Sequence, residues 1–103
     1  MTDLYDVKQK IISSDINKFK EIDESTNFTN SQLCELVVFA ANSYSFAVLE
    51  YLLDQYSSIL DPELLGDETI KLTKPIDIIS YNHARYLITK QLLEKYNIKY
   101  LLL

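Results

Sequence analysis

The stretch from Leu33 to Tyr56 constrains the fold most, because two short apolar segments flank a four-residue polar hinge at 42–45. The apolar residues recur at helical spacing, as Leu33, Leu36, Val37, Ala40 and Ala41 before the hinge and as Phe46, Leu49, Leu52, Leu53 and Tyr56 after it. This spacing predicts two helices, each with one apolar face. A hinge this short makes the helices antiparallel neighbours. A single hairpin cannot bury both of its faces, so we expect it to stack on other helices.

Further helices are predicted before the hairpin. The first carries an apolar stripe of Leu4, Val7, Ile11 and Ile12, and the second carries Ile16, Phe19 and Ile22. Asp15 is placed to cap the second helix, because its carboxylate can accept from free backbone N–H groups. Residues 29–32 match a capping box, with Phe28 positioned to contact Leu33. The capping box is the clearest helix start in the chain.

The pattern is less regular after Tyr56. Residues 57–74 read as an irregular loop, with a brief extended piece at 69–73. A helix is predicted to restart at Pro75, and a final helix to run from Ala84 to Tyr96. The residues expected to point inward from that helix are Leu87, Ile88, Leu92 and Leu93. The tail, 98–103, should pack back or be covered by a neighbour. The sequence thus predicts one all-α domain, 1–103, of stacked antiparallel helix pairs.

Composition limits the functional classes. The net charge is −5, and the ten basic residues are scattered, which argues against gripping a nucleic-acid backbone. No apolar stretch is long enough to span a bilayer, and no signal peptide is visible, so we expect no membrane partner. The single cysteine, Cys34, cannot form an internal disulfide, which favours an intracellular, cytoplasmic setting.

The sequence offers little for catalysis. His83 is the only histidine, so a metal site would need ligands from unrelated places. A dyad of Cys34 and His83 is conceivable, but nothing in the sequence brings the two together. The carboxylates of the 61–68 segment lie in a predicted polar loop, where we expect them to be solvated and not held in the desolvating pocket that an acid–base pair needs. We therefore expect a non-enzymatic protein with no cofactor and no metal.

The hairpin also resembles the core of an ankyrin repeat. The residues from Phe39 to Asp54, FAANSYSFAVLEYLLD, have the family's apolar-Ala-Ala, a short turn, and Val-Leu and Leu-Leu at matching offsets. In the same frame, 14–22 resembles the end of a preceding unit, and 74–80 and 92–96 resemble the start and end of a following one. The resemblance implies about three degenerate repeats. The turn Gly-His is absent, and the units are about thirty and then forty residues apart instead of 33. A non-repeat helical bundle is the alternative.

The resemblance further implies a binding face made by the first helix of each pair. Carried over position by position, the candidate partner-binding residues are Tyr5, Lys8, Ile12, Glu35, Val38, Asn42, Asp77, Tyr81 and Asn82. Asp77 and Tyr81 lead this set, because interface hot spots favour tyrosine. The opposite surface, with Glu50, Asp54 and Lys90, reads as solvated.

We expect a protein-binding module, an inhibitor or adaptor that acts by occluding another protein, as a viral or bacterial antagonist in a host cell would. The alternative is a structural or assembly subunit that forms homo-oligomers through its terminal surface, including Leu101 to Leu103. The sequence does not identify the partner.

Overall fold

The computed structural model describes residues 4–13, 15–60, 70–72 and 81–102, with the backbone alone at Tyr81 and Asn82. Within these ranges the elements are α1 (Leu4–Ile12), α2 (Ile16–Ser25), α3 (Asn30–Asn42), α4 (Phe46–Tyr56), β1 (Lys71–Leu72), α5 (Tyr81–Lys95) and β2 (Leu101–Leu102). The predicted, mostly helical class is confirmed. The helix predicted to restart at Pro75 lies outside the described residues, as does Asp77.

The helices pack as two layers. Helix α1 contacts α2, and α3 contacts α4, so each pair joined by a short turn packs together. Across the pairs, α1 contacts α3 and α2 contacts α4, while α5 adds to α4 and β1 adds to α3. We call α1, α3 and β1 the first layer, and α2, α4 and α5 the second layer. The predicted neighbours of the central hairpin are therefore present on both sides.

Both predicted helix caps form. The Asp15 carboxylate accepts from the Lys18 backbone N–H at 3.1 Å, at the start of α2. At α3, the Gln32 backbone N–H donates to Thr29 Oγ1 at 3.1 Å, and the Thr29 backbone N–H donates to Gln32 Oε1 at 2.9 Å. This reciprocal pair satisfies two backbone donors that a helix start leaves open.

The core is centred on α3 and α4. Leu49 and Leu52 are completely buried, as their spacing predicts. Helix α3 buries residues on several sides, because it contacts α1, α4 and β1 at once. Leu72 is also fully buried, so the short strand β1 fixes its segment to the core.

The α3–α4 hinge is held by a contact that sequence reasoning did not assign. Tyr44 has a φ of 57°, a left-handed conformation that costs a non-glycine residue about 1–2 kcal/mol. Arg85, the only arginine in the sequence, donates from Nε to the Tyr44 carbonyl at 3.1 Å and from Nη2 to the Ser43 carbonyl at 3.0 Å. One guanidinium on α5 thus fixes the turn that ends α3.

The predicted inward face of the last helix is partly wrong. Leu92 and Leu93 are buried, but Leu87 and Ile88 are 42% and 38% exposed. At about 100° per residue, these four side chains spread over more than half of the helix circumference, so they cannot all face α4. Tyr86 and Thr89 are buried in their place. Thr89 tolerates burial because its hydroxyl donates to the Arg85 carbonyl at 2.8 Å.

The C-terminal tail packs back, as predicted. Strand β2 pairs in parallel with β1, in the register Lys71–Leu101 and Leu72–Leu102. The Leu101 backbone N–H also donates to the Ile70 carbonyl at 2.8 Å. The extended piece predicted near 69–73 is confirmed at the two residues of β1. The side chains of Leu101 and Leu102 remain exposed.

Candidate functional site

Helix α1 presents large apolar side chains to solvent. Tyr5 is 67% exposed and Ile12 is 53% exposed, while Val7 and Ile11 on the same helix are buried. Residues seven apart lie nearly on the same side of a helix, so Tyr5 and Ile12 share one exposed stripe. The stripe borders α3 through Lys8, which is half-buried.

Lys8 joins α1 to α3. Its ammonium lies 2.8 Å from Glu35 Oε1, and it lies over the Phe39 ring at 5.3 Å from the ring centroid. Both partners lie on one line of α3, since they are four residues apart. An ion pair at this depth contributes about 0–1 kcal/mol, and a cation–π contact about 0.5–1 kcal/mol. The contact therefore orders the side chains more than it stabilises the fold.

The same line of α3 continues to Asn42, seven residues after Glu35. The Asn42 side-chain oxygen accepts from the Lys71 backbone N–H at 3.0 Å, which ties the end of α3 to β1. One surface therefore crosses α1, α3 and β1. We call it the first-layer face, and its members are Tyr5, Lys8, Ile12, Glu35, Phe39, Asn42 and Lys71.

Five of the nine predicted binding residues lie on this face, and the structure brings Lys8 and Glu35 into direct contact. Phe39 and Lys71 were missed. The spacing of Phe39 from Glu35 could have revealed it, whereas the pairing of Lys71 with Asn42 depends on a contact between residues 29 apart in sequence.

Val38 does not belong to the face. It is only 7% exposed and forms part of the core. The reason is that α3 has neighbours on several sides, which leaves the line through Glu35, Phe39 and Asn42 as its surface. Tyr81 and Asn82 are the first described residues of α5, which packs on α4 in the second layer.

Within the described ranges, no group of three or more His, Cys, Asp or Glu side chains could hold a metal ion. Cys34 is buried, and its Sγ lies 3.5 Å from Asn30 Oδ1 on the same helix. The His83 ring lies against Tyr86 at a centroid distance of 5.9 Å on α5.

The second layer contains its own polar cluster, between α2 and α4. The hydroxyls of Tyr51 and Tyr56 both donate to the Asp23 carboxylate, at 2.6 Å and 2.5 Å. Burial, followed by the hydrogen bond to Asp23 and its negative charge, raises the pKa of Tyr51 well above its ordinary value. The same causes raise the pKa of Tyr56 to about 12. One carboxylate therefore holds two phenols of α4 against α2.

Comparison with protein-family models, with curated proteins and with solved structures finds no match to this chain. Among the helices in the described part, none combines the length and the apolar character that crossing a membrane requires.

Proposed function

We propose that this chain is a non-enzymatic protein-binding module that acts by occluding its partner, as an inhibitor or adaptor. The first-layer face is its binding surface. The observation that carries the proposal is the exposure of Tyr5 and Ile12 beside the ordered Lys8–Glu35 pair. Tyrosine gives a large contact area at a low entropic cost, and it is enriched at interfaces.

The side chains beside the stripe are ordered before a partner arrives. Lys8 is held by Glu35 and by the ring of Phe39, and Asn42 is held by the backbone of β1. Ordering a long side chain on binding costs about 0.5–1.5 kcal/mol, so groups that are already ordered make binding less costly. The face thus combines apolar anchors with pre-organised polar groups.

The proposal includes an ankyrin-like arrangement of the helix pairs. The contacts between α1 and α3, and between α2 and α4, support it, because stacked repeats bring first helices together and second helices together. We place the module in the cytoplasm, since its only cysteine is a buried thiol.

A matched pair of variants tests this function. The intact chain, a Tyr5→Ala/Ile12→Ala variant and an Ile59→Ala/Leu87→Ala control are used as bait, and the captured proteins are quantified by mass spectrometry. The control removes two large apolar side chains that are also exposed but lie off the first-layer face. We expect a partner that the parent and the control capture equally and that the first variant captures about tenfold less. Equal capture by all three baits contradicts the proposal.

One observation favours a second function, a subunit that assembles with copies of itself. Leu101 and Leu102 are exposed on β2, and Leu87 and Ile88 are exposed on α5. Uncapped apolar surface at the end of a helical stack promotes association. Sedimentation separates the two functions. An oligomer that persists on dilution and dissociates in a Leu101→Ser/Leu102→Ser variant favours assembly, whereas a monomer favours the binding module.

A further inference from the structure

The second layer contains a groove of about 380 Å³ where α2, α4 and α5 meet. Its lining includes the rings of Tyr51 on α4 and Tyr96 at the end of α5, and the carboxylates of Glu50 and Asp54 on α4. Ala47, one turn before Tyr51, also lines the groove, and its small side chain leaves the groove open. Lys20 and Lys95 line the groove as well, so it brings two aromatic rings, two carboxylates and two ammonium groups into one concave surface.

Each ring in the groove already lies beside a cation. Lys20 Nζ lies 5.4 Å from the Tyr51 centroid, and Lys95 Nζ lies 5.4 Å from the Tyr96 centroid. These distances are within the range of a cation–π attraction, which extends to about 6 Å. The Lys20–Tyr51 contact joins α2 to α4, whereas Lys95 and Tyr96 are neighbours in sequence, so it is the first contact that shows a ring of this groove accepting a positive group from another helix.

The Tyr51 ring is also fixed in place. Its hydroxyl donates to Asp23 at 2.6 Å, and the Phe19 ring meets it edge-on at a centroid distance of 5.9 Å. A phenol that donates to a carboxylate pushes electron density into its ring, and this strengthens the attraction of the ring face for a cation. Tyr51 therefore offers a pre-organised and electron-rich face.

The two carboxylates add a second attraction for positive charge. Glu50 and Asp54 are both exposed and lie one helical turn apart, where like charges repel. Neither makes a side-chain hydrogen bond or an ion pair within the part of the chain that the structure describes. A bound cation would remove their repulsion and gain charge-assisted hydrogen bonds.

We propose that this groove binds an arginine side chain presented by a partner protein. The guanidinium bridges Glu50 and Asp54 and stacks on a tyrosine ring, which Lys20 or Lys95 occupies while the groove is empty. Arginine fits better than lysine, because its planar fork can donate to two carboxylates while its face lies on a ring. This site is on the layer opposite the first-layer face, so it stands or falls separately from the proposed function.

The test uses the intact chain and the peptide acetyl-Gly-Arg-Gly-amide, titrated while backbone amide shifts are followed by NMR. We expect saturable shifts at the amides of residues 47–54. The same peptide with citrulline, which has nearly the same shape but no charge, should bind about tenfold more weakly. Equal binding of the two peptides, or shifts that do not saturate, overturns the proposal.

Charge-neutralising variants locate the site. A Glu50→Gln/Asp54→Asn variant should bind the arginine peptide about tenfold more weakly. The control, Asp6→Asn/Glu21→Gln, has the same net charge and alters two exposed carboxylates outside the groove. It should bind like the parent. An equal loss in both variants means that only the overall charge matters and overturns the proposal.

Removing Lys20 and Lys95 should strengthen peptide binding instead of weakening it. A Lys20→Gln/Lys95→Gln variant should bind the peptide about threefold more tightly, because two competing cations are gone. Lys18→Gln/Lys99→Gln is the control, since it has the same net charge and leaves both rings with their lysines. Unchanged or weaker binding by the first variant, relative to this control, overturns the proposal.

Discussion

The first-layer face and the second-layer groove contain similar charged residues, but the two regions pair these residues differently. On the first-layer face, Lys8 is matched by Glu35 across two helices at 2.8 Å. In the groove, Glu50 and Asp54 repeat one sign of charge along a single helix, and the nearby lysines contact rings instead. The comparison shows that charge spacing along a helix does not decide whether a charge is satisfied. The neighbouring helix decides it.

Both regions depend on the same core, and this gives the largest expected effect. Leu49→Ala or Leu52→Ala should lower the free energy of unfolding by about 2–5 kcal/mol, because each side chain is completely buried and its removal leaves a cavity. Urea unfolding measures the change, with the exposed Gln55→Ala on the same helix as the control. If the leucine variants unfold like the control, the core that we assign between the two layers is wrong.

The hinge contact connects the two regions, because Arg85 of the second layer binds the end of α3. Arg85→Met should cost about 1–3 kcal/mol, since the variant loses donors to the carbonyls of Ser43 and Tyr44. Arg85→Lys should recover only part of the loss, because an ammonium cannot reproduce the planar fork. The control is Lys99→Met, an exposed cation elsewhere. Full recovery by lysine would mean that charge alone matters at this position.

The Asp23 cluster makes the second layer sensitive to alkaline pH. The pKa of Tyr56 is raised to about 12 in the folded chain, above the ordinary value of 10.0, so the neutral phenol favours folding. Its contribution is complete below pH 10 and is lost as the pH rises through about 12. Stability should fall over this window, and it should fall less steeply in Tyr56→Phe. Denaturant unfolding at several pH values measures the slopes, and equal slopes would contradict the Asp23 contact.

The smallest expected effects come from single carboxylates, one on the first-layer face and one in the groove. Glu35→Gln should destabilise the chain by about 0–1 kcal/mol, because Lys8 loses its partner. Asp54→Asn should instead stabilise it by a few tenths of a kcal/mol, about 0.2–0.5, because a repulsion with Glu50 is removed. Thermal unfolding at low salt detects the difference in sign. Two changes of the same sign would remove the contrast between the two regions.

Local patterns in the sequence predict much of the fold. The caps at Asp15 and Thr29 involve residues three apart, and the central hairpin has a short hinge, so each is determined by neighbouring residues. The buried face of α5 was mispredicted, because the spacing of Leu87, Ile88, Leu92 and Leu93 does not show which side of the helix meets α4. The hydrogen bonds from Arg85 to the α3–α4 hinge were not predicted, since the two carbonyls that accept them are 41 and 42 residues away.

The sequence also predicted part of the candidate site. The resemblance to an ankyrin repeat predicted Tyr5, Lys8 and Ile12 as partner-binding residues, and all three lie on α1. The burial of Val38 could not be read from α3 alone, because it results from neighbours that are distant in sequence. The groove of the second layer was predicted to be a solvated face, since the spacing of Glu50 and Asp54 on one helix does not show the rings that α4 and α5 bring beside them.

The central claim is that the first-layer face is the surface that binds another protein. Isothermal titration of the captured partner into the parent, the Tyr5→Ala/Ile12→Ala variant and the Ile59→Ala/Leu87→Ala control tests it most directly. We predict that the first variant loses affinity about tenfold or more, with an unfolding temperature close to that of the parent, and that the control binds like the parent. Unchanged affinity in the first variant, or an equal loss in the control, would contradict the claim.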